Sequence, residues 1–593
     1  MPFDGLAVRC LAEELDDLYA SARIQNINMP TKNEVIMNLY MDNTSVTLTV
    51  SCDPGCPGIY IQNEKRENPR TPYNFCMFLR KHIGGGKIIK IYAKYYERII
   101  YFDITHTDEL LDTSSVTLIC ELTGRNCNMI LVNKDNRIIE ALRHVDEEMS
   151  SVRRIMPAEL YMLPPTQDKI AIDEITFRDL MKFSDSDISH VLLDTIKGCA
   201  PLFAREICER ASVEEDKTVR DLDANETTRL FDSMEKISDD IASRRYKPIA
   251  IYEKGRKNMK DFYCFDLLVY RDANSMIIKE YDTFLSVYTD YVIRKNDLGR
   301  LTQSIDSVKK TVNAILSKLV KKICIYRSDI NDLDKVKKYQ LYGELLTANM
   351  HVIKDRSSGV TVLNYYTNET IDIPLDASKD IQRNAQLFYK KYKKGMATYE
   401  YASKKIIEAR AEESYLLSVI QLLNACESIG DTEDIKKELV QQGYIREKII
   451  KKGGKLIGQN TSVGFSPVKY ISSEGYEIYA GRNNTENDRL TFGSSPYDVW
   501  MHIKDMHGSH VIIKNPAMAE QFVPDKTLTE GAMIAAYHSE ARKTGQTAVD
   551  YTFVKNVKKP KGAKPGMVNY FKYYSAYVKC DEDLVERSRA SKR

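Results

Sequence analysis

Long apolar runs and tryptophan are both scarce in this chain. No apolar stretch reaches the roughly 18–20 residues of a membrane-spanning helix, and Trp500 is the one tryptophan in 593 residues. An excess of one charge is missing too: 86 Lys and Arg stand against 84 Asp and Glu, a formal net charge of +2. That excludes a uniformly basic coat for nucleic acid and leaves local basic patches open. The N-terminus has no basic segment leading into an apolar one and no small-residue cleavage site, so export by a signal peptide is not expected. Twelve cysteines are scattered along the chain, the usage of a reduced, cytoplasmic protein. Cys52 and Cys56 are the one close pair; structural zinc wants four ligands, so CDPGC reads as a Pro-Gly turn.

What is present is a multidomain pattern. Hydrophobic residues make up 43% and charged residues 29%, enough for several cores. Residues 1–20 predict a helix with Leu6, Cys10, Leu11, Leu15 and Leu18 on one face. Strand-like runs follow at 34–39, 45–51, 88–92, 98–104, 117–121 and 129–133, giving an α+β domain over 1–173. Residues 174–245 turn helical. Within them Leu192–Ala211 reads as a helix, a turn from Gly198 to Pro201 and a second helix. Such a hairpin either offers backbone N–H groups to phosphate or is an ordinary αα-hairpin. Strand character at 246–285 is expected to complete the first sheet.

Leu298, Leu301, Ile305, Val308, Val312, Ile315 and Leu319 alternate spacings of three and four, the seam of a coiled coil, and the pattern slips by one after Leu319. Some 50 residues at 1.5 Å each give an arm of roughly 75 Å. A second helix near 380–430, with Ile407, Ala411, Tyr415, Leu416, Val419 and Leu423, is the antiparallel return. The short strands between them form a middle module, so 286–445 reads as one arm, the alternative being a compact helical bundle; the narrow seam favours the arm. Residues 446–466 read as a basic linker, 467–580 as a second α+β domain and 581–593 as a tail.

Three stretches carry a family resemblance. The first is Asn74–Gly86, NFCMFLRKHIGGG, followed by Glu97, Arg98, Ile99 and Ile100. The second is Tyr342–Asn349, YGELLTAN, followed by Asn384, Ala385 and Gln386 and by Tyr389–Tyr392. The third runs through the C-terminal domain: Gly481–Asn484, Asn487–Asp488, Asp498–His502, Gly508–Val511 and Lys558–Gly566. Together they resemble the NFACT family over nearly the whole chain, in matching domain order.

The resemblance implies a glycosylase-like N-domain, helix-hairpin-helix units, a long antiparallel coiled-coil arm with a middle module, and a C-terminal α+β NFACT-R domain. It also implies a role. Family members bind large ribosomal subunits blocked by peptidyl-tRNA. They recruit tRNA, alanyl-tRNA in bacteria, and promote template-free C-terminal tailing of the stalled chain. Bond formation belongs to the peptidyl transferase centre, so a catalytic residue, a cofactor and a metal are not expected. The implied partners are the large subunit, its rRNA, tRNA, peptidyl-tRNA and a small RNA-binding protein, RqcP.

Residue roles follow in the same way. Glu97 and Arg98 stand at the family's acidic-Arg pair used in tailing. The guanidinium fork suits phosphate or a base edge, although an exposed pair of this kind is otherwise a weak salt bridge. Arg80 and Lys81, at a basic helix end before Gly84–Gly86, and Arg125 in a Gly-Arg turn are further tRNA candidates. Arg482 and Asn483, in a segment that reads as a polar hairpin turn, face rRNA in the family. Lys555, Lys558, Lys559, Lys561 and Lys564 form an acid-free run, either solvated or set against an RNA backbone. His502, His507 and His510 fit no zinc spacing, and Trp500 reads as core.

Two rivals come from other classes. A DNA glycosylase of the same N-domain fold would use Pro2 as its terminal amine nucleophile, but residue 3 is Phe where those enzymes carry an acid, and no CxxC pair supplies their zinc finger. A fibronectin adhesin would need an export or anchoring signal, and none is legible.

Overall fold

The computed structural model describes residues 3–62, 66–94, 96–107, 113–165, 168–254, 259–271, 275–353, 357–446, 450–452, 455–457 and 464–590. They divide into two compact units, Met1–Asp297 and Leu298–Arg593.

In the first unit, α1 (Gly5–Tyr19) buries Leu6, Cys10, Leu11 and Leu15 and leaves Leu18 exposed. A single antiparallel sheet follows, built from β1 (Arg23–Thr31), β2 (Glu34–Met41), β3 (Thr44–Ser51) and β4 (Gly58–Ile61), then α2 (Asn74–Ile83). It continues through β5 (Lys87–Ala93), β6 (Ile99–Thr107), β7 (Thr113–Glu121), β8 (Asn128–Asn133) and β9 (Ile138–Ala141). The order β4-β3-β2-β1-β5-β6-β7-β8-β9 is two meanders joined where Arg23 pairs with Lys87. The CDPGC segment is a plain turn, in which Gly55 N–H donates to Asp53 Oδ1 at 2.9 Å.

The helical region holds α3 (Phe177–Met181), α4 (Ile188–Thr195), α5 (Pro201–Ala211) and α6 (Ala224–Ala242). The expected turn is there, with Gly198 at φ +74° and Pro201 opening α5. The strands after it, β10 (Ile249–Glu253), β11 (Met259–Tyr263) and β12 (Met276–Glu280), do not rejoin the first sheet. They form their own three-stranded sheet, order β11-β10-β12. Their apolar faces, Ile249, Ile251 and Phe262, still enter the core that α1 covers. The sequence pattern therefore reported a shared core, and the sheet was the wrong inference from it.

Two long helices, α7 (Phe284–Asn331) and α9 (Ile381–Asn424), are separated by α8 (Leu333–Ala348) and a hairpin of β13 (Gly359–Asn364) and β14 (Glu369–Pro374). Within the second unit the pairing is antiparallel: Tyr326 meets Tyr401, while Tyr339, further along, meets Phe388. Val308, Val312, Leu319 and Ile323 pack as expected, but Leu298 is exposed. On α9 the expected seam holds at Tyr415, Leu416, Val419 and Leu423, which are buried, and is corrected at Ile407 and Ala411, which are exposed. Ile407 is 70% exposed, and the buried positions run Phe388, Ala402, Ala409, Leu416 and Leu423 at multiples of seven. Gly395 falls in the same register; a Cβ there would meet Val336 at 2.5 Å. Small residues, Gly395, Ala402 and Ala409, hold the middle of the seam, so the large side chains marked the face from Tyr415 onward but not before it.

The base of this unit is α10 (Ile429–Gln441). Short strands β15 (Ile450–Lys452) and β16 (Lys455–Ile457) pair within the segment expected as a linker; its Gly453 and Gly454 lie outside the described residues. The C-terminal sheet comprises β17 (Val468–Ile471), β18 (Glu477–Ala480), β19 (Val499–Ile503), β20 (Val511–Ile513), β21 (Gln546–Phe553) and, after a small hairpin of β22 (Val557–Lys558) and β23 (Asn569–Tyr570), β24 (Tyr574–Lys579). Its order is β17-β18-β20-β19-β21-β24. Helix α11 (Asn484–Phe492) follows β18, and α12 (Asp525–Tyr537) packs on one sheet face. Trp500, fully buried, sits with Leu490, Ile512 and Tyr570 in the core of the other. The expected tail is corrected up to residue 590: α13 (Glu582–Ser588) buries Val585, and Arg589 pairs with Glu427 at 2.7 Å.

Candidate nucleic-acid interfaces

In the first unit the site begins with two glycines. The backbone N–H of Gly5 donates to the carbonyl of Gly198 at 3.2 Å. A Cβ on Gly5 would lie 1.7 Å from the Tyr96 carbonyl oxygen. That approach seats the α4–α5 turn on the start of α1, beside the loop that carries Tyr96, Glu97 and Arg98. Asp4 caps α1 by accepting from Ala7 N–H at 2.9 Å, and it accepts from the Tyr263 hydroxyl at 2.9 Å. Burial pushes its carboxyl up to about 6; those hydrogen bonds and the Arg98 charge oppose the shift.

The result is a cavity of about 400 Å³. Its lining includes Asp4, Glu97, Arg98, Lys169, Lys197 and Gly198. Lys197 Nζ stands 3.7 Å from Glu97 Oε1, and Lys169 Nζ donates to the Leu193 carbonyl at 2.8 Å. Arg98 is half-buried in this lining, where a charged hydrogen bond is stronger than on open surface. Position 3, where a glycosylase carries an acid, is Phe3 stacked on Tyr288 at 4.5 Å; Pro2 lies outside the described residues.

The other tRNA candidates are not in this cavity. Arg80 donates through Nε to the Ile27 carbonyl at 2.8 Å and through Nη2 to Asn28 at 3.0 Å, so it ties α2 to β1. Lys81 is exposed on α2, and Arg125 is exposed on the turn after β7. Sequence reasoning missed Asp4, Gly5, Lys169 and Lys197. The signal was partly there: an acid and a glycine open the first helix, and Lys197 directly precedes the glycine of the hairpin.

In the second unit, Arg482 and Asn483 are corrected. The segment is the start of α11, not a hairpin turn. Asn483 is 1% exposed and caps that helix by accepting from Glu486 N–H at 2.8 Å. Arg482 Nη1 donates to Asp431 at 3.0 Å. Buried Glu438 accepts from the Tyr415 hydroxyl at 2.8 Å and from Thr485 N–H at 2.9 Å. These acids fasten the C-terminal domain to α10, so both expected RNA contacts are engaged inside the fold.

The lysine run divides. Lys555 pairs with Glu520 at 2.6 Å, Lys559 pairs with Asp488, and Lys564 lies over the Tyr444 ring. Lys558 and Lys561 are exposed, as is Lys572. The histidines are spent on packing. His510 shares a hydrogen bond with Thr491 at 2.8 Å, and His538 shares one with the Tyr470 hydroxyl at 2.8 Å. Burial lowers His502 and His538 to about 4 and His510 to about 3. Among the described residues no group of three or more His, Cys, Asp or Glu is arranged to hold a metal, and no helix is long and apolar enough to cross a membrane.

Comparison with known proteins decides the family. The NFACT N-terminal and middle domains match residues 4–455, and the NFACT protein RNA binding domain matches residues 467–571. This chain belongs to the NFACT family. Among NFACT relatives, the Rqc2 homolog RqcH of Bacillus subtilis is 32% identical over 600 residues, with 100% of both chains covered. The Rqc2 homolog RqcH of Streptococcus pneumoniae serotype 2 is 30% identical, with 96% of each chain covered. A solved structure, the fibrinogen binding protein from Staphylococcus aureus, aligns with a TM-score of 0.41 and 26% identity over 49% of this chain and 98% of that one. The match makes residues 467–571 an RNA-binding domain.

Proposed function

We propose that the protein is a ribosome-associated quality-control factor. It binds large ribosomal subunits obstructed by peptidyl-tRNA, recruits a tRNA, alanyl in the first instance, and promotes template-free C-terminal tailing of the stalled chain. The observation that carries the reading is the full-length likeness to a curated RqcH, with both NFACT segments in order. The N-terminal cavity supports it. Glu97, which Lys197 approaches to 3.7 Å, and Arg98 both line the cavity, and the pair reads a tRNA backbone or base edge. The exposed lysines of the C-terminal domain hold rRNA phosphate.

In this reading the protein positions tRNA and supplies no covalent chemistry; peptide bonds form in the ribosome's own centre. RqcP is the partner expected on the same particle, and the site of action is the cytoplasm. The test is recovery of tagged protein from lysate at low salt with sequencing of all bound RNA. Large-subunit rRNA together with one elongator tRNA isotype is the expected result and names the amino acid added. Absence of rRNA at every salt concentration rejects the proposal.

A further inference from the structure

Beyond the lysine hairpin the chain runs FKYYSAYVK, and four of its aromatic rings are largely in solvent: Phe571 is 53% exposed, Tyr573 47%, Tyr574 59% and Tyr577 68%. So many exposed rings on one sheet edge invite aggregation unless they have a partner. The strand is a true edge, since β24 pairs only with β21. The matched family segment stops at residue 571, so all of β24 lies beyond it.

The presentation is built. Lys572 is held at φ +50°, a left-handed conformation uncommon for a residue with a side chain. The bend is fixed from beneath: the buried Thr552 hydroxyl donates to the carbonyls of Phe571 and Lys572 at 3.1 and 3.0 Å, and Phe571 N–H donates to the Asn556 carbonyl at 3.2 Å. Tyr573 stands edge-on to Tyr570 at 5.1 Å, and Tyr574 leans on Tyr551 at 5.7 Å. Tyr577 makes no ring contact among the described residues. Along this stretch of chain the charge has one sign, while Asp550 on the neighbouring strand accepts from Ser575 Oγ at 2.5 Å and Glu520 pairs with Lys555. Residues 555–579 contain lysines at 555, 558, 559, 561, 564, 572 and 579 and no acid. Just past the strand, Asp581 caps α13 and Glu582 pairs with Arg542 at 2.8 Å.

Alternation along β24 puts Tyr574 on the α12 face, against Tyr551 and Phe522, and Tyr577 on the opposite face, the side of Tyr570 and Tyr573. We propose that the rings of Phe571, Tyr573 and Tyr577, flanked by Lys558, Lys561, Lys572 and Lys579, form a stacking platform for an unpaired stretch of RNA. Aromatic faces interleaved with cations suit single strands: each ring takes a base regardless of sequence, and the lysines follow the backbone. A duplex keeps its base faces stacked on one another and gains only the lysines. The inference rests on the RNA-binding reading above and adds which form of RNA is held and by which residues.

The test uses the full chain and two labelled RNAs, a 12-nucleotide oligouridylate and a 12-base-pair duplex, titrated by fluorescence anisotropy at several salt concentrations. Y573A/Y577A is expected to weaken the single strand by at least about tenfold, to leave the duplex within about twofold, and to leave the salt slope unchanged. Y573F/Y577F, which keeps the rings, should bind as the native chain does. Equal weakening of both RNAs, or of neither, overturns the platform. Loss of a ribosomal protein contact with RNA affinity unchanged also overturns it, in favour of a protein-docking strand. If the native chain binds large subunits and RNA and the tyrosine variants change nothing, only this inference falls. If it binds neither, the RNA-binding reading falls with it.

Discussion

Around the N-terminal cavity Asp4, Glu97, Lys169 and Lys197 already have partners within the fold, whereas on the C-terminal hairpin Lys558, Lys561 and Lys572 stand exposed with no ion pair among the described residues. The first arrangement fixes direction, because a held carboxylate and a half-buried guanidinium have few orientations to give up on binding. The second supplies attraction, which any phosphate backbone satisfies and salt screens. Under the proposed function, the difference fits selection of the tRNA by the first unit and grip on the particle by the second.

That comparison is broken most severely at the glycines. Gly5→Val places a side chain against the Tyr96 backbone, which cannot withdraw as a flexible side chain would; the expected cost is about 3 kcal/mol or more, read as loss of the first unit's thermal transition. Gly562→Ala on the lysine hairpin meets no atom within 4 Å at φ +79°, so it should cost about 1 kcal/mol. Equal losses would show that the cavity is no more constrained than the hairpin.

Next in size, E97A/R98A should lower tRNA recovery by about 100-fold, two lost charged hydrogen bonds at roughly 1.5 kcal/mol each, with large-subunit recovery within about twofold. K558A/K561A/K572A should reduce the salt slope for RNA binding by about 3, nearly one per phosphate contact, and leave tRNA selectivity unchanged.

The smallest effect is in pH, and its sign separates the units. Buried His502 and His510 titrate at about 4 and 3 against an ordinary value near 6.5, so the unfolded state takes protons first. Stability there is full above about 6.5 and is lost as pH falls towards 4. Asp4, raised to about 6, has the opposite dependence: its stability is full below about 4 and is lost as pH rises through 6. From pH 7 to 6, amides of 499–513 should lose about 0.7 kcal/mol of hydrogen-exchange protection per histidine, and those of 5–19 should gain roughly half that. Loss of protection in both would contradict the assignment of either group.

Periodicity made most elements legible: α1, six strands of the first sheet, the α4–α5 turn and the α7 seam follow from alternation, 3.6 spacing and one glycine. What periodicity could not carry was partnership. The side chains of β10–β12 fit the first core whether or not their backbones join its sheet. On α9 the glycine and alanines at the seam are less conspicuous than Ile407, which faces solvent. Asn483 with Glu486 three residues on is a local helix-start pattern that the reading as a turn passed over, whereas Arg482 finds its partner, Asp431, 51 residues away, where no local pattern announces it. At the cavity, Glu97 and Arg98 were found by resemblance; Lys169 and Lys197 become part of the site only through the fold.

The most direct test of the division of labour sets E97A/R98A against K558A/K561A/K572A on purified large subunits carrying peptidyl-tRNA, measuring subunit association and incoming tRNA in the same sample. The expected result is crossed: the first variant stays on the subunit and loses the tRNA, and the second loses the subunit as salt rises while keeping its tRNA preference when bound. Parallel loss of both quantities in both variants would contradict it.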